Sequence, residues 1–161
     1  MSKVAIRLYQ DADLPAIMTL FRDTVRRVNI RDYSSEQVLA WAPEAMDADR
    51  WRRRLEDAWT AVAELAGQVV GFGNLEANGH IDFFYTHADF QGCGIGREVL
   101  TAIEAQARRT KLARLVTEAS ITARPFFEKF GFVVLEPQEV ECRGQKFVNY
   151  RMEKQLIEQS R

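Results

Sequence analysis

The spacing of apolar residues changes along the chain, and each change predicts a new element. In VAIRLY (residues 4–9), apolar and polar residues alternate as on a strand with one buried face. From Leu14 to Val28 the apolar residues recur three or four positions apart, which predicts a long amphipathic helix. Asp11 and Asp13 precede this segment and are predicted to cap it.

Two shorter helical segments follow the first helix. SSEQVLAW places Ser34 and Gln37 at the spacing of a capping box, in which each side chain bonds the backbone amide of the other residue. DADRWRRRLEDA places Trp51 and Leu55 on one side of a helix and charged residues on the others. Acidic residues nearby balance its arginines, so the segment predicts a solvated helix face.

Strand-like patterns return at Trp59 and predict three successive strands, WTAVAEL, QVVGFGNLE and HIDFFYT. Their junctions, at residues 66–67 and 77–79, contain the glycine expected of hairpin turns. A helix with one apolar face then runs from Ile95 to Ala107. ARLVTEA, ARPFFEKF, FVVLE and KFVNYRME predict a strand, a short helix that ends at Gly131, and two closing strands. This mixture predicts an α/β or α+β fold with a layered sheet.

Length and composition restrict the classes of function. The 161 residues fit a single domain, which we place at residues 1–161. Lys and Arg total 22 against 23 acidic residues, for a net charge of −1, so nucleic-acid binding is not expected. Cys93 and Cys142 are too few for a disulfide framework or a zinc cluster, and no apolar stretch has the length of a membrane span. We therefore expect a cytoplasmic protein that uses no metal and binds no membrane.

The stretch DFQGCGIGREVL (residues 89–100) carries three glycines at alternate positions before a predicted helix. Glycine lets a ligand approach the backbone, and a helix start offers free N–H groups, so the stretch predicts a main-chain anion site. The dinucleotide pattern G-x-G-x-x-G fails, because its third glycine falls on Arg97 or Val99. A triphosphate loop fails as well, since Arg97 and Glu98 stand where Lys-Ser/Thr is required. Coenzyme A remains, beside the alternative of a glycine-rich turn that binds nothing.

The pattern Gln/Arg-x-x-Gly-x-Gly/Ala is matched by Gln91, Gly94 and Gly96, and here the sequence resembles the GNAT superfamily of N-acetyltransferases. IDFFYTHADFQGCGIGREVL is similar to the strand, loop and helix of that family's acetyl-CoA signature, and ITARPFFEKFGF resembles its later signature. The order of predicted elements agrees over residues 3–153. The resemblance implies a mixed, largely antiparallel sheet of about seven strands, with helices on both faces and a splay between the fourth and fifth strands.

The resemblance also implies how acetyl-CoA is held. In the family, backbone amides of the glycine loop bind the pyrophosphate, and the pantetheine arm pairs with the two splayed strands. The implied loop contacts are Gln91, Gly92, Cys93, Gly94, Ile95 and Gly96, with a side-chain contact from Arg97. The implied arm contacts are Phe84, Tyr85 and Thr86 on one strand, Thr117 to Ser120 on the other, and Arg124 to Phe127 on the next helix. The N–H of Tyr85 or Thr86 is the implied donor to the reacting carbonyl oxygen.

The later signature departs from the family at the residue that usually acts as general acid. Many members have a tyrosine there, whereas this chain has Phe127, which has no proton to donate. Tyr150, Tyr85 and Cys142 are the alternative donors, and a thiolate can also leave unaided because a thiol pKa is only about 8.5. Tyr150 also fits a half-buried residue of a closing strand.

Four residues are candidates for the general base that receives the proton of the attacking amine. His80 stands at the start of a strand, where histone-acetylating relatives have a glutamate, and Asp82 shares its strand face. A histidine with a pKa of about 6.5 suits this role, although His80 also fits a turn residue beside Asn-Gly. His87, beyond the strand end, and Glu118, on the neighbouring strand, are the alternatives.

The acceptor is expected near the first helices and the final strands. Asn29, Tyr33 and Trp41 are the candidate substrate contacts, although Tyr33 and Trp41 also fit buried core residues. The implied function is transfer of the acetyl group of acetyl-CoA to a primary amine, on a small molecule or a peptide, by direct attack in a ternary complex. The alternative is a non-catalytic acyl-CoA-binding sensor, and homodimers are common among relatives.

Overall fold

The computed structural model describes residues 3–157. The strands are β1 (Ala5–Leu8), β2 (Trp59–Leu65), β3 (Gln68–Leu75), β4 (His80–Thr86), β5 (Arg114–Ser120), β6 (Val133–Cys142) and β7 (Gln145–Gln155). The helices are α1 (Leu14–Arg27), α2 (Ser35–Trp41), α3 (Ala48–Glu56), α4 (Ile95–Arg109) and α5 (Arg124–Lys129), with short 3-10 helices at Asp11–Asp13, Asn29–Arg31 and Ala88–Phe90.

The strands form one sheet in the order β1-β2-β3-β4-β5-β7-β6. Every neighbouring pair is antiparallel except β4 and β5, which are parallel. The predicted hairpin turn between β2 and β3 is confirmed, since Ala66 and Gly67 have φ of 50° and 80°, as a tight turn with right-handed strand twist requires. A mixed, largely antiparallel sheet of seven strands is therefore confirmed.

Helices pack on both faces of the sheet. On one face, buried residues of α1, α2 and α3 form a cluster with Phe72 of β3 and Phe83 of β4. On the other face, α4 and α5 form a second cluster with Leu75 of β3 and Ile81 of β4. None of the helices within residues 3–157 combines the length and the apolar character that crossing a membrane requires.

Helix α4 lies unusually close to β3, and two glycines make this approach possible. A Cβ on Gly71 would lie 2.7 Å from Ile95 Cγ2, and one on Gly73 would lie 2.9 Å from Val99 Cγ1. Both separations are shorter than carbon atoms tolerate, so any larger residue would push the helix away from the sheet. The glycines of QVVGFGNLE thus fix the start of α4 over the middle of the sheet.

The structure confirms one of the two predicted helix caps. Ser34 Oγ accepts the Gln37 N–H at 3.1 Å, and Gln37 Oε1 accepts the Ser34 N–H at 2.8 Å, which completes the capping box of α2. The expected cap of α1 is wrong, because Asp13 makes no side-chain bond to that helix. Its carboxylate accepts two hydrogen bonds from Arg7, both at 2.8 Å, and this pairing lowers the pKa of Asp13.

A β-bulge in β4 decides which side chains face which layer. Gly73 pairs with Phe84 and Leu75 with Ile81, so Asp82 and Phe83 together lie opposite the single residue Asn74. Asn74 is fully buried, and its Oδ1 accepts the Phe83 N–H at 2.7 Å. The extra residue places Asp82 and Phe83 on the same face, the one covered by α1 to α3.

Candidate active site

The parallel strands β4 and β5 stay together for only two residues. His80 pairs with Val116 and Ile81 with Thr117, and beyond this point the two strands pair only with their other neighbours. The hydroxyl of Thr117 donates to the Ile81 carbonyl at 3.0 Å and so satisfies the last acceptor of the short ladder. The predicted splay between the fourth and fifth strands is therefore present and begins next to the bulge.

On the β4 side of the splay, alternate backbone amides point into the opening. The His87 N–H donates to the Val70 carbonyl of β3 at 2.8 Å, which sets the direction of the odd-numbered residues before it. Because strand amides alternate in direction, the Tyr85 N–H also faces β3, whereas the Phe84 and Thr86 N–H groups face the opening. Of the two amides that the resemblance implied as carbonyl-oxygen donors, only Thr86 has this orientation.

On the β5 side, the same alternation presents two more amides. The Val116 N–H donates to the Gly79 carbonyl at 3.0 Å, toward β4. Glu118 and Ser120 follow at even spacing, so their N–H and C=O groups face the opening as well. The Thr86 carbonyl accepts hydrogen bonds from the Thr24 and Gln91 side chains, but the N–H groups that face the opening donate to no described residue. The splay can therefore accept an extended chain between its two walls, as it would accept an additional strand.

The glycine-rich loop lies where the splay reaches the start of α4. Gly94 occupies the N-cap position with φ of 82°, a left-handed conformation that glycine adopts without strain. No backbone N–H from Gln91 to Arg97 donates a hydrogen bond to another residue within 3–157. The Gln91 side chain braces the loop, since its Nε2 donates to the Thr86 carbonyl at 2.8 Å. The loop therefore presents a row of free donors at a positive helix end.

The loop and the splay enclose a cavity of about 450 Å³, which we call the inter-strand cleft. Its wall on the α4 and α5 side is aromatic, with the Phe84 ring 5.3 Å from that of Phe126 and 5.2 Å from that of Phe127. The cleft is also lined by three cationic residues that form no ion pair with a described residue, namely Arg31, Arg97 and Lys129. It therefore suits a polyanionic ligand with a narrow, largely uncharged arm.

A second cavity, of about 570 Å³, opens on the face covered by α1 to α3, and we call it the aromatic cavity. Its aromatic wall is formed by Phe21, Tyr33, Trp41, Trp51, Phe83, Tyr85 and Phe147. The two cavities share five lining residues, namely Trp41, Asp82, Tyr85, Glu118 and Ser120. A ligand in the cleft and another in the aromatic cavity would thus meet between the splayed strands.

His80 is held between two carboxylates. Its Nε2 lies 2.9 Å and 3.0 Å from the two oxygens of Glu118, and its Nδ1 contacts Glu76. Glu118, together with Glu76, raises the pKa of His80 from 6.5 to about 9, against the opposing effect of burial. His80 is therefore an imidazolium at neutral pH with both ring nitrogens engaged, and it lines neither cavity.

Asp82 and Glu118 are the two carboxylates at the junction of the cavities. Arg54 of α3 binds Asp82 through Nη2, 2.7 Å from Oδ1, and Nε, 3.1 Å from Oδ2, and its guanidinium lies 4.1 Å above the Phe83 ring. Both oxygens of Asp82 are thus engaged by a fork-shaped donor. Glu118 is instead bound only by the His80 ring among the described residues, and its side chain is 40% exposed.

The structure separates the three candidate proton donors. Tyr85 lines both cavities, and its ring packs against Phe21 on the face covered by α1 to α3. Burial raises the pKa of its phenol above the ordinary tyrosine value, so it is protonated at neutral pH. Tyr150 lines neither cavity, and its ring lies beneath the Arg124 guanidinium at 4.5 Å. Cys142 lines only the aromatic cavity, where its Sγ lies 3.6 Å from the Ala40 carbonyl.

The predicted substrate contacts are partly structural. The Tyr33 hydroxyl donates to the Val148 carbonyl at 2.7 Å and accepts the Ile121 N–H at 2.9 Å, which ties the loop before α2 to β7 and the end of β5. Trp41 lines both cavities and packs edge-on against Tyr33. Asn29 is buried in the wall of the inter-strand cleft, with its Nδ2 3.4 Å from Ser120 Oγ.

Three other candidates lie outside both cavity walls. Arg124 pairs with Glu128 at 3.3 Å, and Cys93 is exposed on the loop. His87 accepts the Asp89 N–H at 3.0 Å, beyond the strand end. The structure therefore brings Asp82, Tyr85 and Glu118 together, whereas the side chains of Arg124, Cys93 and His87 lie outside both cavities, and Cys93 contributes only its backbone amide to the loop.

Sequence reasoning missed several residues that shape the site. Asn74 stabilises the bulge, and Arg54 binds Asp82. Arg54 belongs to a run of arginines that the sequence pattern predicts to be solvated. However, Asp47, Arg50 and Trp51 lie at helical spacing on the same helix face as Arg54, and all four residues line the aromatic cavity. That spacing was the available signal, whereas nothing in the sequence pattern marks Asn74.

Comparisons with known proteins agree with this geometry. The family model described as "Acetyltransferase (GNAT) domain" matches residues 29–154. The chain is 32% identical over 152 residues to the uncharacterized N-acetyltransferase YafP of Escherichia coli K12, covering 94% of this chain and 96% of that protein. The GCN5-related N-acetyltransferase structure from Rhodopseudomonas palustris superposes with a TM-score of 0.93 at 34% identity, over 97% of this chain and 98% of that one.

A more distant neighbour is YncA of Salmonella typhimurium, solved with its cofactor acetyl-CoA. It superposes with a TM-score of 0.68 at 23% identity, over 99% of this chain and 98% of that chain, so the likeness is one of fold. The family model covers most of the chain, and the YafP and R. palustris proteins each match this chain over almost its whole length. The chain therefore belongs to the GNAT superfamily and is an N-acetyltransferase by family.

Proposed function

We propose that this protein transfers the acetyl group of acetyl-CoA to a primary amine by direct attack in a ternary complex. The observation that carries the proposal is the row of free backbone amides from Gln91 to Arg97 at the mouth of the gap between β4 and β5. These donors suit a diphosphate, and the gap beside them suits the extended arm that coenzyme A attaches to it. The acetyl-CoA bound in the neighbour YncA supports this choice of anion.

The inter-strand cleft supplies both the charge and the orientation that acetyl-CoA requires. The start of α4 favours an anion by about 0.3–2 kcal/mol in total, and Arg31, Arg97 and Lys129 add positive charge. The Phe84 and Thr86 N–H groups, which face the opening between β4 and β5, can donate hydrogen bonds to an extended arm lying alongside β4. When bound, acetyl-CoA supplies a thioester, which is an activated acyl donor.

Glu118 is the proposed general base. A lysine-like amine has a pKa of about 10.4, and the resulting mismatch of about 3.4 units at pH 7 is worth about 4.6 kcal/mol. Glu118 lines both cavities and faces the amine directly or through one water. Two other candidates are less suitable, because His80 is already protonated and Asp82 is bound by two separate N–H groups of Arg54. Among the described residues, Glu118 is bound by one nitrogen only, His80 Nε2, which lies between its two oxygens.

The exposure of Glu118 lets its proton leave after the reaction. The Glu118 side chain is 40% exposed, so a proton received there can pass directly to solvent. The His80 imidazolium, which contacts Glu118 and Glu76, keeps both of its own protons. His80 acts in this scheme as a positioning residue for Glu118 and not as the base itself.

Tyr85 is the proposed proton donor to the departing thiolate. It is the candidate phenol that lines both cavities, and burial raises its pKa so that it keeps its proton at neutral pH. Phe127 occupies the wall of the cleft with an aromatic ring alone. The need for an acid is modest, because a thiol pKa of about 8.5 makes the thiolate a good leaving group.

Two measurements test this function. Isothermal titration with CoA, acetyl-CoA and NAD is expected to show binding of the first two only, and tight NAD binding would point to a nucleotide domain. Thiol release from acetyl-CoA is expected with at least one member of a broad panel of primary amines. Firm CoA binding without thiol release across the panel would contradict catalysis and favour a non-catalytic acyl-CoA sensor.

A further inference from the structure

The charges that line the aromatic cavity are unevenly paired. All three carboxylates there have partners: Asp47 caps α3 by accepting the N–H groups of Asp49 and Arg50, Asp82 binds Arg54, and Glu118 binds His80. Arg50 and Arg143 also line the cavity, and neither forms an ion pair with a described residue. The cavity lining holds equal numbers of carboxylates and arginines, three of each, but Arg50 and Arg143 are the two arginines that no described carboxylate binds, and both are available to an anionic ligand.

Arg143 reaches the cavity from a backbone conformation that disfavours arginine. It occupies the first turn position between β6 and β7 with φ of 47°, followed by Gly144 with φ of 81°. Such turns prefer Asn, Asp or Gly at both positions, because a side chain with a Cβ is strained there. Arg143 Nη1 donates to the Ala40 carbonyl at 2.7 Å, which holds the guanidinium against the cavity wall.

The part of the aromatic cavity next to the inter-strand cleft presents hydrogen-bond acceptors instead of arginine donors. Asn149 pairs with Ser120 across β5 and β7, and its Oδ1 is buried and accepts no hydrogen bond from a described residue. A buried carbonyl oxygen without a donor is costly, so this atom is suited to receive an N–H from a ligand. Glu118 lines the cavity at the same end, where an amine would meet the thioester.

These contacts divide the aromatic cavity into two chemically distinct ends. Glu118 lies where the cavities join, and Asn149 pairs with Ser120, which also lines both cavities. Arg50 and Arg143 line the aromatic cavity alone and pair with no residue of the junction. We propose that the acceptor is a primary amine that also carries a carboxylate, with the amine held near Glu118 and Asn149 and the carboxylate held by Arg50 and Arg143. Guanidinium groups bind carboxylates through paired N–H donors, which gives selectivity as well as affinity. This inference rests on the proposed acetyl transfer to an amine.

Matched pairs of probes test the carboxylate directly. We compare L-phenylalanine with 2-phenylethylamine, and 4-(aminomethyl)benzoate with benzylamine, by thiol release and by the unfolding midpoint of the CoA-bound protein. In at least one pair, kcat/KM is expected to be about tenfold or more higher for the carboxylated member, the size of a charged hydrogen-bonded contact. Arg143→Asn should bring that ratio close to one while raising the unfolding midpoint, because asparagine tolerates the turn conformation.

Control variants separate recognition from general charge. Arg50→Gln should reduce the ratio in the same way, whereas Arg53→Gln, at an exposed arginine of α3 outside the cavity wall, should leave it unchanged. Equal values within both pairs, or a ratio that survives Arg143→Asn, would overturn the carboxylated acceptor. So would a lack of turnover and of midpoint shift with all four probes. If the carboxylated probes raise the midpoint more than their partners but release no thiol, the acceptor class stands and the catalytic function falls.

Discussion

The inter-strand cleft and the aromatic cavity meet at Glu118 and Tyr85 but are built from different parts of the polypeptide. The cleft presents main chain, namely the amides of residues 91–97 and the inward amides of the splayed strands. The aromatic cavity presents side chains from α2, α3, β4, β5 and the β6–β7 hairpin. Some of its charged groups are paired, as Asp82 is with Arg54, whereas Arg50 and Arg143 form no ion pair with a described residue.

The contrast suggests how proteins of one fold could bind the same acetyl donor, a CoA thioester, and differ in the amine that accepts the acetyl group. A main-chain site depends on backbone conformation, so it persists when exposed side chains change, provided that the turn and the helix start remain. A side-chain site can be rebuilt by single substitutions without disturbing the sheet. We therefore expect changes in the cleft to alter binding of CoA, and changes in the aromatic cavity to alter turnover and choice of amine.

Replacement of Glu118 should give the largest effect and should lower turnover without changing CoA affinity. We predict that Glu118→Gln lowers kcat by about 100-fold or more, the usual contribution of a general base, while CoA affinity changes by less than about threefold. Steady-state thiol release and isothermal titration measure the two quantities. Glu136→Gln is the matched control, because Glu136 is an exposed glutamate of β6 that pairs with Arg151 outside both cavities. Near-normal turnover of Glu118→Gln would assign the base to another group.

A bulky side chain in the glycine loop should have the converse effect. We predict that Gly94→Trp raises the Kd for CoA by about 30-fold or more, because the indole occupies space that the phosphates need. Gly67→Trp is the matched control: both glycines have φ near 80°, and neither added Cβ meets an atom within 4 Å. Both variants should lose about 1–2 kcal/mol of stability from backbone strain, measured by denaturant unfolding, but only Gly94 lines the cleft. Equal CoA affinity in the two variants would contradict a phosphate site at the loop.

The charge on His80 should appear in the dependence of stability on pH. A folded-state pKa of about 9, raised from 6.5 chiefly by Glu118, means that the stabilisation is complete below pH 6.5 and is lost as the pH rises to 9. We predict that the stability difference between the wild type and His80→Gln narrows by at least about 1 kcal/mol across this window. When both proteins also carry Glu118→Gln, the stability difference should change much less with pH. A stability difference that stays constant from pH 6.5 to 9 in the original pair would contradict a His80 imidazolium bound to Glu118.

Restoration of the tyrosine common in the family should have the smallest effect. Phe127 is 2% exposed and packs against Phe84 and Phe132 while lining the cleft. We predict that Phe127→Tyr changes kcat by no more than about twofold, because a thiolate with a conjugate acid of pKa about 8.5 leaves readily. A large increase in kcat would show that protonation of the leaving group limits this enzyme and that Tyr85 does not supply it.

The sequence predicted the main-chain half of the site better than the side-chain half. Local spacing revealed the strands, the α2 capping box and the glycine loop, because each depends on residues a few positions apart. Asp13 was predicted to cap α1 by the same local rule, but its carboxylate accepts two hydrogen bonds from Arg7 on β1 and one from the Gln10 N–H. The capping rule fails here because donors that precede the helix occupy the same carboxylate.

The arrangement of charges in the aromatic cavity depends on contacts that no local pattern encodes. His80 looked like a base because its isolated pKa suits the task, yet Glu118, 38 positions away, leaves it protonated. Arg54 and Asp82 meet from α3 and β4, and the bulge that turns Asp82 toward α3 depends on Asn74 of β3. Arg143 reaches the cavity through a strained turn that is evident only from its backbone angle.

Titration of ¹⁵N-labelled protein with CoA, followed by amide NMR, tests the main-chain phosphate site most directly. The amide resonances of Gln91 to Arg97 should shift the most, those of Phe84 and Thr86 should follow, and those of Arg50 and Arg143 should stay close to their starting positions. If calorimetry shows that CoA binds while the loop amides do not move, the glycine loop is not the phosphate site and the central claim is wrong.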